Sequence, residues 1–209
     1  MASSLMHIAI AQEINKELKR DKKKLLIGSV APDISKIVGK TKVKSHFLNN
    51  KDNVIPNLEL FLKKYKKHLN DDFVLGYYIH LYTDYLWFKY FIPEIINKNV
   101  LTKLDGKIIE VDDETKIEYI YNDYSNLNIQ LINEYNLNIN IFYDKLPKIN
   151  KIITEIPIDK LHLLMEKTVL IIENSKVKKS IIFNLRNVEQ FISISTELIL
   201  SNLNQMNIN

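Results

Sequence analysis

The chain has no cysteine, so disulfides and thiolate metal sites are impossible, and any metal would have to be held by imidazole and carboxylate groups. Glycine and proline are scarce, at 4 and 5 of 209 residues, which disfavours a sandwich or barrel built on many tight turns. Arginine is limited to Arg20 and Arg186; nearly all the positive charge is lysine. Arginine is the usual bidentate reader of phosphates and base edges, so a dedicated nucleic-acid surface is not favoured. No apolar run reaches the length of a transmembrane helix. The opening stretch, residues 1–20, has no basic segment ahead of its short apolar run and does not read as a signal peptide, so a soluble, cytoplasmic protein is the expectation.

The rest of the composition is that of a folded domain. Hydrophobic residues make up 46%, and the net charge is only +4, which says little about partners. No internal repeat and no linker is visible, so residues 1–209 read as one all-α domain, a multi-helix bundle.

Helical periodicity and capping residues mark out the elements. Ser3 or Ser4 caps a helix to about Arg20, with His7, Ile10, Ala11, Ile14 and Leu18 on one stripe. Pro56 opens a helix to about Leu69. Asp71 or Asp72 caps the most aromatic segment, 73–91, whose stripe reads Phe73, Tyr77, His80, Asp84, Trp87 and Phe91. Asp105-Gly106 marks a turn. A helix from 112–114 to about Glu134 places Ile117, Ile120, Tyr121, Tyr124, Leu127 and Leu131 inward. Helices near 159–174 and 188–203 close the chain, and 107–111 and 180–185 read as short strands.

Chemistry concentrates on this framework. His80 and Asp84, four apart, share one helix face among aromatic neighbours. An ionised carboxylate there needs a positive partner, and a metal with His80 as co-ligand supplies one; a His–Asp packing pair is the competing reading. His7 lies on an apolar stripe, where a core histidine is the plain alternative. Asp33 follows Pro32, where a helix cap is. His46 sits in the basic stretch 39–53, where a solvated side chain is. His162 and Glu166 are again four apart, but the apolar stripe Leu161, Leu164, Met165 and Thr168 leaves them towards the polar side. Asp123 is a further candidate, as metal ligand or as a free base, against an exposed helix carboxylate. Lys42 and Lys44 could help a phosphate dock beside His46. The tyrosines crowded around His80, from Tyr77 to Tyr90, read mainly as packing, with ring inside and hydroxyl at the edge. His68 reads as a surface residue.

The motifs fall in an order that resembles the zinc-dependent phospholipase C family, itself similar in fold to the single-strand-specific zinc nucleases. The pieces are Met6-His7-Ile8-Ala9, Gly28-Ser29-Val30-Ala31-Pro32-Asp33, Ser45-His46-Phe47 and the run from Gly76 through His80 to Asp84. They cover roughly the first half of the chain. The resemblance implies an all-α hydrolase with up to three zinc ions. Asp33, His46 and His80 would hold one metal, and Asp84 would bridge it to a second that His7 also binds. In that family the mature N-terminal residue gives its amine and carbonyl to the second metal. Here the N-terminus stands several residues before His7, so those two ligands are expected to be missing. The third zinc is expected to be absent, or rebuilt from other groups such as His162 with Glu166 or Asp123, since no histidine lies between His80 and His162 and Tyr90 stands near the expected ligand position. The implied function is hydrolysis of a small phosphoester or a lipid headgroup by one or two Zn²⁺ ions and a metal-activated water, with Asp84 and Asp123 as the catalytic carboxylates. The alternative is a helical metal-binding or scaffold protein without catalysis.

Overall fold

The computed structural model describes residues 1–208. It is mainly helical, as the composition implies. Helices α1 (Ser4–Leu18), α2 (Lys22–Gly28), α3 (Ser35–Val38), α4 (Lys42–Ser45), α5 (Leu58–Tyr65), α6 (Asp72–Leu86), α7 (Asp113–Glu134), α8 (Leu161–Glu173) and α9 (Leu185–Gln205) pack around one continuous apolar core. A small antiparallel meander, β1 (Ile96–Asn97), β2 (Val100–Thr102) and β3 (Ile108–Glu110), sits between α6 and α7. Its register pairs Ile96 with Leu101 and Leu101 with Ile109, and the turn at Asp105-Gly106 uses a glycine at φ +82°.

Short polar side chains start the helices. Ser3 accepts the Met6 N–H at the head of α1, Asp71 accepts those of Phe73 and Val74 at α6, and Asp112 accepts that of Thr115 at α7. Asn184 and Asn187 form a reciprocal capping box at α9. Helix α1 ends on Lys19 in the left-handed conformation at φ 52°.

Helix α6 is buried on nearly every side from Phe73 to Asp84, which makes it the central helix. It packs against α1, α2, α5 and α9. Its closest neighbour is α2, and the approach depends on two glycines. A Cβ on Gly28 would stand 2.2 Å from the Phe73 carbonyl oxygen, and one on Gly76 would stand 2.0 Å from that of Leu25. No side chain fits between the two backbones, so half of the chain's glycines serve this one crossing. After Leu86 the helix continues as a π-helical turn, Trp87–Phe91, whose Trp87 ring packs on Phe91, Phe183 and Phe191.

The elements expected from periodicity are present, with three differences. Residues 180–185 form no strand; they bend into α9, and the reason lies in α7, described below. Ile117 and Tyr121 are exposed, at 52% and 64%, instead of facing inward; the buried side of α7 is Asp123, Asn126, Leu127, Asn128 and Leu131. The basic stretch after Gly39 contains the short helix α4, which ends at His46. Among the described residues no helix is long and apolar enough to cross a membrane.

Candidate metal centre

Four elements deliver the five expected side chains to one place. His7 comes from α1, Asp33 from the 3-10 turn Ala31–Ile34 that Pro32 initiates, His46 from the end of α4, and His80 and Asp84 from α6. All five are buried, His7, Asp33, His80 and Asp84 completely and His46 to 1% exposure. The plain alternatives for His46 and Asp33 are thereby excluded. His46 is not solvated, and Asp33 caps no helix.

The polar atoms face one another at ligand-like spacings. His46 Nε2 lies 3.3 Å from His80 Nε2. Asp33 Oδ1 is 3.6 Å from His46 Nε2, and Asp84 Oδ2 is 3.6 Å from His80 Nε2 and 3.8 Å from His46 Nε2. On the other side Asp84 Oδ1 is 3.4 Å from His7 Nε2. A tetrahedron of nitrogen and oxygen ligands about 2.1 Å from zinc has edges of roughly 3.4 Å. The separations match those edges and exceed ordinary hydrogen bonds.

Tautomers follow from the outer partners. His80 Nδ1 stands 2.8 Å from the Ser29 carbonyl oxygen, which can only accept, so Nδ1 carries the proton and Nε2 presents a lone pair. Burial and the neighbouring His7 hold the His80 pKa well below its ordinary value, so the ring is neutral. His46 Nδ1 meets the Ser45 hydroxyl at 2.9 Å, and that hydroxyl also reaches the Lys42 carbonyl at 3.3 Å. With the hydroxyl proton given to Lys42, His46 likewise holds its proton on Nδ1 and points a lone pair at His80. The Tyr77 hydroxyl donates to the Ser45 carbonyl and steadies that corner.

Two facing lone pairs repel unless a cation stands between them. The carboxylates say the same, because Asp33 Oδ1 and Asp84 Oδ2 are buried without a hydrogen-bond partner. Both ring nitrogens of His7 are also unpartnered. Burial pushes the Asp33 carboxyl up, but Lys36, His46 and His80 beside it hold it well below the usual carboxylate range. Asp84 is depressed too, its burial outweighed by His7, His80 and the N-terminal segment. Two overlapping triads could each hold a metal: Asp33, His46 and His80, and His7, His80 and Asp84.

Groups not singled out in the sequence complete the surroundings. Lys36, on α3, bonds Asp33 Oδ2 at 2.7 Å, leaving Oδ1 for the centre; its spacing of three from Asp33 was the available signal. The Ala2 N–H donates to Asp84 Oδ1 at 3.0 Å, and the Tyr124 hydroxyl donates to the Met1 carbonyl at 2.7 Å. Backbone of residues 1–2 therefore folds against the second position through hydrogen bonds to Asp84 and Tyr124. No short-range pattern reports that contact, which spans the sequence from Met1 to Tyr124. Met1, Ala2, Lys36 and Tyr124 also line a cleft of about 390 Å³ between α7 and α8, so these residues separate the centre from solvent. Lys42 and Lys44 are exposed and do not line it.

Asp123 is not a free base. Both its oxygens are taken up by the backbone N–H groups of Ile181, Ile182 and Phe183 at 2.7–3.0 Å, with the Asn122 amide at 3.0 Å. It is fully buried, so the exposed helix carboxylate is excluded as well. Its neighbours also hold residues 175–180: Ser125 and Asn126 accept the Lys176 and Lys178 N–H groups, Asn122 donates to the Lys179 carbonyl, and Asn126 and Asn128 donate to the Ser180 and Ser175 hydroxyls, so α7 holds that segment as an extended strap. The N–H groups of residues 181–183, which a strand would give to a sheet, go to Asp123, and the backbone contact to the meander is the Leu104 N–H on the Ile181 carbonyl, so 180–185 forms no strand. His162 and Glu166 are exposed on α8, His162 against the Asp159 carbonyl. Tyr90 is 55% exposed. Among the described residues the two overlapping triads are the metal-like groups found, and neither His162, Glu166 nor Asp123 belongs to them.

Comparison with known proteins agrees with the motif order. Residues 6–101 match the family described as zinc dependent phospholipase C, and that span contains all five residues of the centre. No curated protein and no solved structure matches the chain.

Proposed function

We propose that this protein is a zinc-dependent phosphoesterase whose metal ligands are His7, Asp33, His46, His80 and Asp84. The observation that carries it is the pair of Nε2 atoms 3.3 Å apart, each with its other nitrogen engaged, beside two orphaned carboxylate oxygens. Asp33, His46 and His80 would hold one ion, and Asp84 would bridge from it to a second held with His7. Zinc there would lower the pKa of a water towards neutrality and polarise a phosphoryl oxygen. The protein's part is orientation and charge. The Ser29 carbonyl and Ser45 hydroxyl fix the imidazole tautomers, Ala2 N–H fixes Asp84, and Lys36 presents an ammonium at the cleft, where a phosphate ester would enter. Burial removes competing water, so each of these charges acts at low dielectric. A small phosphoester or a lipid headgroup suits a cleft of this size.

The test pairs elemental analysis of protein purified without chelator with a screen of phosphate mono- and diesters. Zinc together with turnover, both lost in His80→Ala, is the expected result; full turnover in that variant rules the mechanism out. A second reading, a metal-binding protein without catalysis, is favoured by the closure of the centre behind Lys36 and residues 1–2. Bound zinc with no turnover on any ester selects it.

A further inference from the structure

The strap across α7 carries a surface that the metal centre does not explain. Residues 176–179 read Lys-Val-Lys-Lys, all exposed, with Val177 at 77%. The Lys176 N–H is fixed to Ser125 Oγ at 2.8 Å and the Lys179 carbonyl to the Asn122 amide at 3.0 Å. Ser125 lines the cleft, and Ile117, Tyr121 and Ile171 form its apolar wall. Those three stay 52%, 64% and 42% exposed, and Leu170 beside them 58%. Large side chains left in water in one neighbourhood mark an interaction site. On the strap the apolar residue is flanked by lysines alone, with no arginine and no carboxylate. Glu173, the acid nearest in sequence, is turned to the Tyr143 hydroxyl.

We propose that the rim formed by Ile117, Tyr121, Ile171 and the strap 176–179 docks on an anionic lipid surface. Charge complementarity decides the occupant. The lysines of the strap flank Val177 and suit a bilayer, where ammonium groups stay with the headgroups while Val177 and Tyr121 enter the interface; the exposed acids Glu114 and Glu118 lie on α7 beside Ile117 and Tyr121, so the strap carries the attraction. A second copy of this positively charged chain would bring the lysines against one another. The docking is a property of the surface, independent of hydrolysis, and therefore stands or falls apart from the phosphoesterase reading.

The experiment is sedimentation of the full chain with phosphatidylcholine vesicles, with and without 30% phosphatidylserine, at low and high salt. The expected result is binding to the anionic vesicles that weakens at least tenfold in high salt or on zwitterionic lipid. Three juxtamembrane lysines contribute roughly two orders of magnitude in affinity, so Lys176→Ser, Lys178→Ser and Lys179→Ser together should lower it by about 100-fold. Val177→Asp and Tyr121→Ser should weaken it with those lysines intact. Removing as many charges from α5 and the turn after it, by Lys63→Ser, Lys66→Ser and Lys67→Ser, should leave most of the binding. All these side chains are exposed, and an unchanged melting temperature establishes folding. No binding to anionic vesicles, equal loss in the two lysine triples, or a dimer that the strap variants dissolve would each overturn the proposal.

Discussion

Substituting Gly76 by alanine should damage the metal centre from one helical turn away. The added methyl would stand 2.0 Å from the Leu25 carbonyl oxygen, whereas real contacts essentially never fall below 3.0 Å, so α2 and α6 must part by at least about 1 Å. The obstacle is backbone, which cannot rotate aside as a side-chain tip would. His80 follows Gly76 by four residues on α6, and its Nδ1 reaches across the same crossing to the Ser29 carbonyl at 2.8 Å. A separation of 1 Å takes that pair beyond hydrogen-bonding distance. Over-packing costs about 1–3 kcal/mol, and leaving a buried polar group unsatisfied costs a further ~1–3 kcal/mol. The higher helix propensity of alanine returns about 1 kcal/mol. A net loss near 3 kcal/mol results. At roughly 2.1 cal/mol/K per residue of unfolding entropy, a chain of 209 residues loses ~7 °C in Tm. Calorimetry of the metal-free protein measures this, and zinc titration of the same samples should show weaker binding, because His80 is no longer oriented. A variant with wild-type Tm and wild-type zinc affinity would refute the claim that the glycine crossing sets the site.

Chelation should lower the Tm of the zinc-loaded protein, by about 9 °C when free zinc had stood at a thousandfold its Kd; an unchanged melt would leave the five side chains as packing. Asp123→Ala should cost about 3 kcal/mol by stranding the N–H groups of residues 181–183, yet keep the zinc content of wild type. Loss of zinc in proportion would place Asp123 in the centre after all. The metal-free protein should lose stability as pH falls. His80 has a folded-state pKa depressed by burial and His7, so below about 6.5 the unfolded chain takes up a proton that the folded one refuses. Asp33 and Asp84, also depressed, add a further loss below about pH 4. Urea midpoints measured from pH 8 to pH 4 should decline steadily below neutrality, and a flat profile between pH 7 and pH 5 would contradict the burial of a neutral His80.

What the sequence disclosed follows the range of the forces involved. Spacings of three and four report a helix face, so the stripe through His7 and the pair His80 and Asp84 were legible, as were the helix starts to within a residue or two: Ser3 rather than Ser4, Asp71 rather than Asp72, and the start at 112–114. The convergence of His7, Asp33, His46, His80 and Asp84 was legible only through the order of motifs, which resembles the zinc-dependent phospholipase C family over the stretch that matches it. Contacts between distant segments left no such trace. The tether from Met1 to Tyr124 and the folding of Ala2 onto Asp84 depend on where whole helices lie, and no local period encodes that. Helix α7 misled for a different reason. Its apolar positions Ile117 and Tyr121 fit the inward stripe, yet its polar residues face inward because the strap supplies them with partners. Buried Asp123 and Asn126 are stable only where backbone donors and hydroxyls meet them, so the polarity of a side chain by itself does not tell solvent from strap. The exposed Ile117 and Tyr121 are the other side of that exchange. A helix that turns its asparagines and aspartate inward to hold a strap leaves its isoleucine and tyrosine at the mouth of the cleft, beside the lysines that the strap carries.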